Sequence, residues 1–308
     1  MGRRRGGKAI NGWLVVDKPR GTTSAAVVAL ARRTIGAARV GHCGTLDPLA
    51  TGVLPLAFGE ATKTVSYAME RPKHYRFVIR WGEARATEDA EGAVTETSAG
   101  RPTREEIARV LDQFTGEIEQ IPPVFSAIKV GGRRAYDLAR AGESVKLEPR
   151  IVRIESLKLS RVLDVDHAEF DVCAGKGAYM RSLARDLARA LGTVGHLAEL
   201  RRTRVGPFLE EHAISLEILA ALGHSAALEN HLLPIETALD DIPALAMTEQ
   251  EARHLRHGRA VPVLPVASRS PLKNVTKGAV VCAMTEGKPV ALARIAGGEI
   301  RPLRVLNL

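Results

Sequence analysis

The sequence predicts a mixed α+β (α/β) chain that ends in a small, mostly β module, and three observations carry that expectation. Tyr75-Arg76-Phe77-Val78-Ile79-Arg80-Trp81 puts Tyr75, Phe77, Ile79 and Trp81 on one side of a strand. Thr103-Arg104-Glu105-Glu106, behind Pro102, is a capping box that opens a helix whose Ile107, Val110, Leu111 and Phe114 share one face until Gly116. Beyond residue 243 the pattern changes to short apolar runs separated by Pro and Gly turns.

Taken in order, residues 1–10 form a basic arm in which Arg3-Arg4-Arg5 predicts a disordered, electrostatic tail. Trp13-Leu14-Val15-Val16 reads as a buried strand stopped by the turn Lys18-Pro19-Arg20-Gly21. Thr23 or Ser24 then caps a helix with Val27, Val28, Leu30, Ala31 and Ile35 on its apolar face and Gly36 at its left-handed end. A glycine- and proline-punctuated loop follows from 41 to 55. Strands are expected at Arg150 to Arg161 and Ala168 to Cys173. Lys176-Gly177 turns the chain into a helix from Tyr179 to Leu191, with Met180, Leu183, Leu187 and Leu191 inward and Arg181, Arg185 and Arg189 on another face. A second capping box at Thr248 to Glu251 opens a helix ending at Gly258, before strands at Ala279 to Met284 and Val290 to Ile295. The expected division is 11–243 for the main domain and 244–308 for the module, joined through Pro234 to Pro243.

The 308 residues are 45% hydrophobic, enough for a sizeable core, and 44 Lys and Arg against 35 Asp and Glu give a net charge of +9. That excess favours polyanionic partners, nucleic acid first. Residues 1–40 hold Asp17 as their sole acid, and the run from Lys176 to Arg204 is also basic. Cys43, Cys173 and Cys282 lie far apart, which argues against a disulfide framework and a cysteine zinc site. No apolar run reaches the length of a membrane span and no signal peptide is recognisable, so a soluble cytoplasmic protein is expected. Neither a Gly-x-Gly-x-x-Gly loop nor the Pro-Cys-x-x-Cys half of the zinc-deaminase pattern is present, and Gly59-Glu60-Ala61-Thr62-Lys63-Thr64 lacks the Gly-Lys pair of a phosphate loop. No nicotinamide, nucleotide or metal cofactor is expected.

Within Gly41-His42-Cys43-Gly44-Thr45-Leu46-Asp47-Pro48-Leu49-Ala50-Thr51-Gly52-Val53-Leu54-Pro55 the single acid is Asp47. Flanked by Leu46 and Leu49, it suggests a carboxylate on the floor of a partly apolar site; by spacing alone, Asp-Pro equally fits a turn or a helix cap. The stretch resembles the signature of the TruB-type tRNA pseudouridine-55 synthases. Further blocks of that resemblance agree in order: Asn11 to Pro19 with Gly21 and Ser24, Gly59 to Lys63, Lys73-His74-Tyr75-Arg76, Gln120-Ile121-Pro122-Pro123, Ser126-Ala127-Ile128-Lys129, Lys176 to Arg181, and Leu200-Arg201-Arg202. Together they cover roughly residues 9 to 210.

The resemblance implies a pseudouridine-synthase core, built on a mixed, largely antiparallel sheet flanked by helices, with a PUA-like RNA-binding module at the end. It implies an isomerase acting on the T-arm stem-loop of tRNA, without cofactor and as a monomer. Asp47 becomes the nucleophile or base, with attack at C1′ and a glycal route both open, and Arg181 the cation that keeps it charged and aimed. Tyr75 lies against the uracil, its hydroxyl a candidate for taking the C5 proton. Tyr179 and Leu200 contact the bound nucleotide, Asp89 pairs with the arginine, His42 helps extrude the target base, and Lys18 and Lys63 position the strand or backbone. Three positions depart from the family pattern: Cys43 stands for threonine, Phe125 for tyrosine, and Arg85 occupies a commonly acidic site. From the residues alone a non-catalytic RNA-binding or tRNA-folding protein competes, as does an enzyme for another RNA, and Asp47 separates catalysis from binding.

Overall fold

A computed structural model describes residues 7–222, 226–270 and 278–308; the Arg3-Arg4-Arg5 tail lies outside the described residues. Strand β1 (Gly12–Lys18) leads to helix α1 (Ser24–Ile35), the short β2 (Val40–His42) and β3 (Thr51–Phe58). Helix α2 (Val65–Glu70), β4 (Lys73–Trp81) and a hairpin of β5 (Glu83–Arg85) and β6 (Val94–Thr97) follow. Then come α3 (Arg104–Val110), β7 (Gly116–Gln120), a small hairpin of β8 (Lys129–Val130) and β9 (Arg133–Arg134), and α4 (Ala135–Arg140). The long β10 (Arg150–Val162) and β11 (His167–Ala174) precede α5 (Met180–Ala190), β12 (Gly195–Val205), β13 (Phe208–Leu209), β14 (Ala213–Ile214) and α6 (Leu216–Leu222).

These strands form one mixed sheet in the order β14-β1-β3-β12-β4-β11-β10-β7, with β2 beside β3 and β13 beside β12. Only β1–β14 and β3–β12 run parallel among its described pairs, so the sheet is largely antiparallel, as expected. One face buries Leu14, Leu54, Phe58, Phe77, Ile79 and Phe170 against the inner stripes of α1 and α5. Phe77 stacks on Phe170 at 5.3 Å between ring centroids. The other face packs Trp13, Val15, Val53, Val205 and Phe208 against Ile235, Ala238 and Leu306.

Local signals set the helix ends. Thr103 and Glu106 cap each other's backbone N–H groups reciprocally, as do Thr248 and Glu251. At α1 the two candidate caps divide the work. Thr23 is the N-cap, accepting from Ala26 N at 3.1 Å, whereas Ser24 turns away and bonds Leu46. Gly36 closes the helix at φ 69°.

The expected loop from 41 to 55 proves to be strand at both ends, Val40–His42 and Thr51–Phe58. Pro55 is tolerated inside β3 because its carbonyl accepts from Cys43 N, and its missing N–H points to that same side, where β2 has already ended. β12, paired with both β3 and β4, is another element the pattern concealed, since its polar Glu199, Arg201, Arg202 and Arg204 break the apolar run.

A second sheet takes the order β15 (Ala244–Ala246), β17 (Val280–Thr285), β18 (Lys288–Ala296), β19 (Glu299–Val305), β16 (Val261–Pro262), flanked by α7 (Glu249–Arg256) and α8 (Val263–Ala267). Leu245, Leu255, Val281, Ala291 and Ile300 make its own core. The chain then returns to the larger sheet. Leu306 joins the Trp13 cluster, Lys63 Nζ donates to Val305 O at 2.7 Å, and Asn307 N donates to Glu60 Oε2 at 2.7 Å. No described helix is long and apolar enough to cross a membrane.

Where β3 runs beside β12, Gly52 sits at φ 99° and a Cβ there would collide with the carbonyl oxygen of Arg202. Gly52→Ala is expected to destabilise the protein by at least about 2 kcal/mol, seen as a lower urea midpoint.

Candidate active site

A cleft of about 330 Å³ opens where the Gly44–Asp47 segment, β4, the turn before α5 and the middle of β12 meet. Its lining brings together Asp47, Tyr75, Tyr179, Arg181 and Leu200 from four separate stretches of sequence. His42, Lys18, Lys63 and Asp89 do not line it.

Backbone contacts on both sides fix the segment that carries Asp47. Ser24 Oγ accepts from Leu46 N at 2.8 Å and donates to Leu46 O at 3.0 Å. Arg202, 1% exposed, donates from Nε to Val53 O and from Nη2 to Gly44 O. Lys18, fully buried, donates to Pro19 O, Thr22 O and Pro48 O at 3.0, 2.7 and 3.3 Å. Leu46 and Leu49 are buried on either side. The expectation of a buried acid is corrected here: the Asp47 side chain is 39% exposed on the cleft wall. The buried carboxylate is that of Asp89, at 5%. Its neighbours hold the backbone rather than enclose the carboxyl group.

Arg181, 5% exposed, enters the cleft from the first turn of α5. Its Nη1 donates to Thr87 O at 3.1 Å and its Nη2 to Phe125 O at 2.8 Å, which leaves Nε facing two acids. Nε lies 3.0 Å from Asp47 Oδ2 and 3.7 Å from Asp89 Oδ2. Nε makes no hydrogen bond, so both contacts are ionic. Asp89 Oδ1 in turn accepts from Thr87 Oγ1 at 2.5 Å and Glu91 N at 3.0 Å. At the head of α5, Gln120 holds Tyr179 by both backbone groups, at 2.8 and 3.1 Å. Burial pushes the Tyr179 hydroxyl above its ordinary pKa.

Tyr75 stands on β4 opposite Val172 and Arg202, one pleat beyond the fully buried Phe77. His42 ends β2, where burial and then Arg202 push its pKa below the ordinary value. Lys63 joins Glu60 to the returning C-terminal segment, on another part of the molecule. The three departures are accommodated. Cys43 is buried in the Trp13 cluster with its thiol pushed up to about 11, the Phe125 ring packs edge-on against Tyr136, and Arg85 donates to Ala90 O and Gly92 O across the Asp89 turn. Among the described residues no group of three His, Cys, Asp or Glu side chains is arranged to hold a metal ion.

Residues 32–180 match the TruB family pseudouridylate synthase N-terminal domain, and residues 181–240 match the tRNA pseudouridylate synthase B C-terminal domain. The chain belongs to the TruB family. It is 58% identical over 308 residues, all of both chains, to a tRNA pseudouridine synthase B of Rhodospirillum rubrum. It is 52% identical over 309 residues, again all of both chains, to the protein of that name from Caulobacter sp. strain K31. Among solved structures it resembles a chain of a Cbf5–Nop10–Gar1 complex, with a TM-score of 0.75 and 26% identity over 96% of this chain and 85% of that one. As a TruB-family member the chain is a pseudouridine synthase, and the backbone around its candidate cleft is anchored by Ser24 and Arg202.

Sequence reasoning missed those anchors. Arg202 was visible only as part of a motif, Ser24 only as a helix cap and a motif position, and Lys73, which lines the cleft, only as the neighbour of Tyr75. The Lys73 ammonium is buried and donates to Met69 O and Arg71 O.

Lys18 also titrates unusually, because burial lowers its pKa from 10.5 to about 8, opposed by the charge of Asp47. Between those values the unfolded chain holds a proton that the folded chain has shed, so stability rises with pH across that window. Lys18→Met removes the term and leaves three carbonyls without a donor, at a cost of about 2 kcal/mol or more. Urea midpoints between pH 7 and 10.5 should therefore be lower, with a shallower rise than in the wild type; parallel curves would exclude this titration.

Proposed function

We propose that this enzyme converts a uridine in the T-loop of tRNA, position 55, to pseudouridine. The carrying observation is the 3.0 Å Asp47–Arg181 pair on the wall of a cleft also lined by Tyr75, Tyr179 and Leu200. The curated relatives' shared name, tRNA pseudouridine synthase B, supports the substrate class. The reaction breaks the N1–C1′ bond, turns the uracil and joins C5 to C1′; the C5 proton leaves, N1 gains one, and nothing is oxidised.

In this reading the target nucleotide leaves its stack at a cost of a few kcal/mol and enters the cleft ribose first. The Asp47 carboxylate attacks C1′ or opens the glycal route by taking a ribose proton, and either route needs it held in one orientation. Arg181 supplies that aim, and Asp89 keeps Arg181 from swinging away. The Tyr75 ring lies against the uracil and its hydroxyl takes the C5 proton, while Tyr179 and Leu200 bound the nucleotide. His42, with its pKa lowered, offers an uncharged ring to the vacated stack without a large desolvation cost. Lys18 and Lys63 serve the enzyme's own backbone, as their carbonyl partners indicate. The 244–308 module, a PUA-like RNA-binding element in this reading, takes the acceptor-stem side of tRNA.

Asp47→Asn should bind unmodified tRNA within about twofold of the wild type yet release no tritium from C5-labelled uridine. Substantial turnover by that variant would refute the assignment. Wild-type protein alone, incubated with an unmodified T-arm stem-loop, should modify one uridine located by positional mass analysis.

Truncation is a poor test of the module because Leu306 belongs to the main core. Replacing the exposed Arg253 and Arg259 with serine is cleaner. The salt dependence of tRNA binding should flatten by roughly one unit of slope per lost phosphate contact, with the single-turnover rate unchanged.

A further inference from the structure

Arg181 is not the only arginine of α5 that ties two loops together. One turn later, Arg185 Nη1 donates to Glu88 Oε1 at 2.6 Å and Nη2 to Ile121 O at 3.0 Å. Arg181 bridges Thr87 and Phe125. The two side chains therefore form successive rungs between the same pair of segments, 87–89 and 121–125. Ser182 adds a third tie, Oγ to Ile121 O at 2.8 Å. Asp186 holds the Arg185 fork from below through both carboxylate oxygens.

Glu88 occupies an unusual backbone state. Its φ is +62°, in the left-handed region that a non-glycine residue adopts at a cost of about 1 kcal/mol. Leu197 grips the turn from β12, its N–H donating to Glu88 O and its carbonyl accepting from Ala90 N. The Glu88 side chain is 19% exposed, Oε2 is buried without a hydrogen bond, and burial raises the carboxyl pKa against the opposing effect of Arg185. Such a group is no stability device, since an unbonded carboxylate oxygen out of water is costly. Its geometric effect is specific: with Glu88 held to α5, Thr87 O and Asp89 on either side meet the Arg181 guanidinium.

We infer that the Glu88–Arg185 pair is a positioning device for Arg181, fixing the 87–89 turn so that Nε is presented to Asp47. The inference rests on the proposed roles of Asp47 and Arg181. Neither Glu88 nor Arg185 lines the cleft, so both act through the arginine one turn earlier.

The test compares Glu88→Gln, which keeps the reach and loses the charge, with Glu88→Asn, which tolerates the left-handed backbone and cannot reach. Single-turnover tritium release at saturating enzyme is measured for both in the wild-type and Arg181→Lys backgrounds, with thermal midpoints and tRNA Kd values alongside. Glu88→Asn should slow the chemical step roughly ten- to a hundredfold, Glu88→Gln less, with Kd unchanged and no parallel order in thermal midpoint. In the Arg181→Lys background, Glu88→Asn should have no further effect, because the group it positions is already altered. An equal loss in both backgrounds, a loss confined to Kd, or a full-speed Glu88→Asn enzyme would overturn the inference. An inactive Asp47→Asn beside a full-speed Glu88→Asn discards this inference alone, whereas an active Asp47→Asn discards the reading beneath it.

Discussion

Two buried cations, Lys18 and Arg202, hold the backbone on either side of Asp47, and the candidate site depends on that constraint. A segment built from glycine and proline cannot satisfy its carbonyls through a sheet ladder, and carbonyls turned inward without donors would be costly. Long, charged donors reaching across from β1 and β12 meet that need. Each is in turn tolerable out of water only because carbonyl oxygens surround it. Loop and cations are thus mutually dependent, and neither is stable in this form without the other.

The sheet explains why the cleft forms where it does. β3, β12 and β4 lie side by side in its middle, so Asp47 just before β3, Leu200 and Arg202 on β12, and Tyr75 on β4 are brought together by the most constrained backbone in the molecule. Helix α5 lies over β12 and delivers Arg181 from above, with its N-terminal turn tied by Gln120. A site mounted on central strands and one packed helix keeps its geometry far better than one carried on free loops.

Much of this was legible in the chain, and the parts that were not share a physical cause. Capping boxes at Thr103 and Thr248 announce helix starts because the chemistry of a cap is local. The strand at 73–81 shows itself through alternation, since one of its faces is core and the other is partly wet. β3 gives no such sign: seven of its eight residues are buried, so both faces are covered and the period of two vanishes in a run that also holds a glycine and a proline. The residues of the cleft were found through the family resemblance, and their assembly could not be read from spacing, because Asp47, Tyr75 and Arg181 meet only through long-range pairing. Arg202 illustrates the limit most clearly. Among many arginines, which one is buried at 1% exposure is a property of the register between β3, β12 and β4.

The return of the chain to the Trp13 cluster has a consequence for biogenesis. Trp13 lies on β1 and Leu306 follows β19, so the hydrophobic cluster they share closes only after both of these distant segments have been synthesised. Until Leu306 arrives, the cluster around Trp13 packs without one of its buried members, and the link between the chain's early and late segments is unmade.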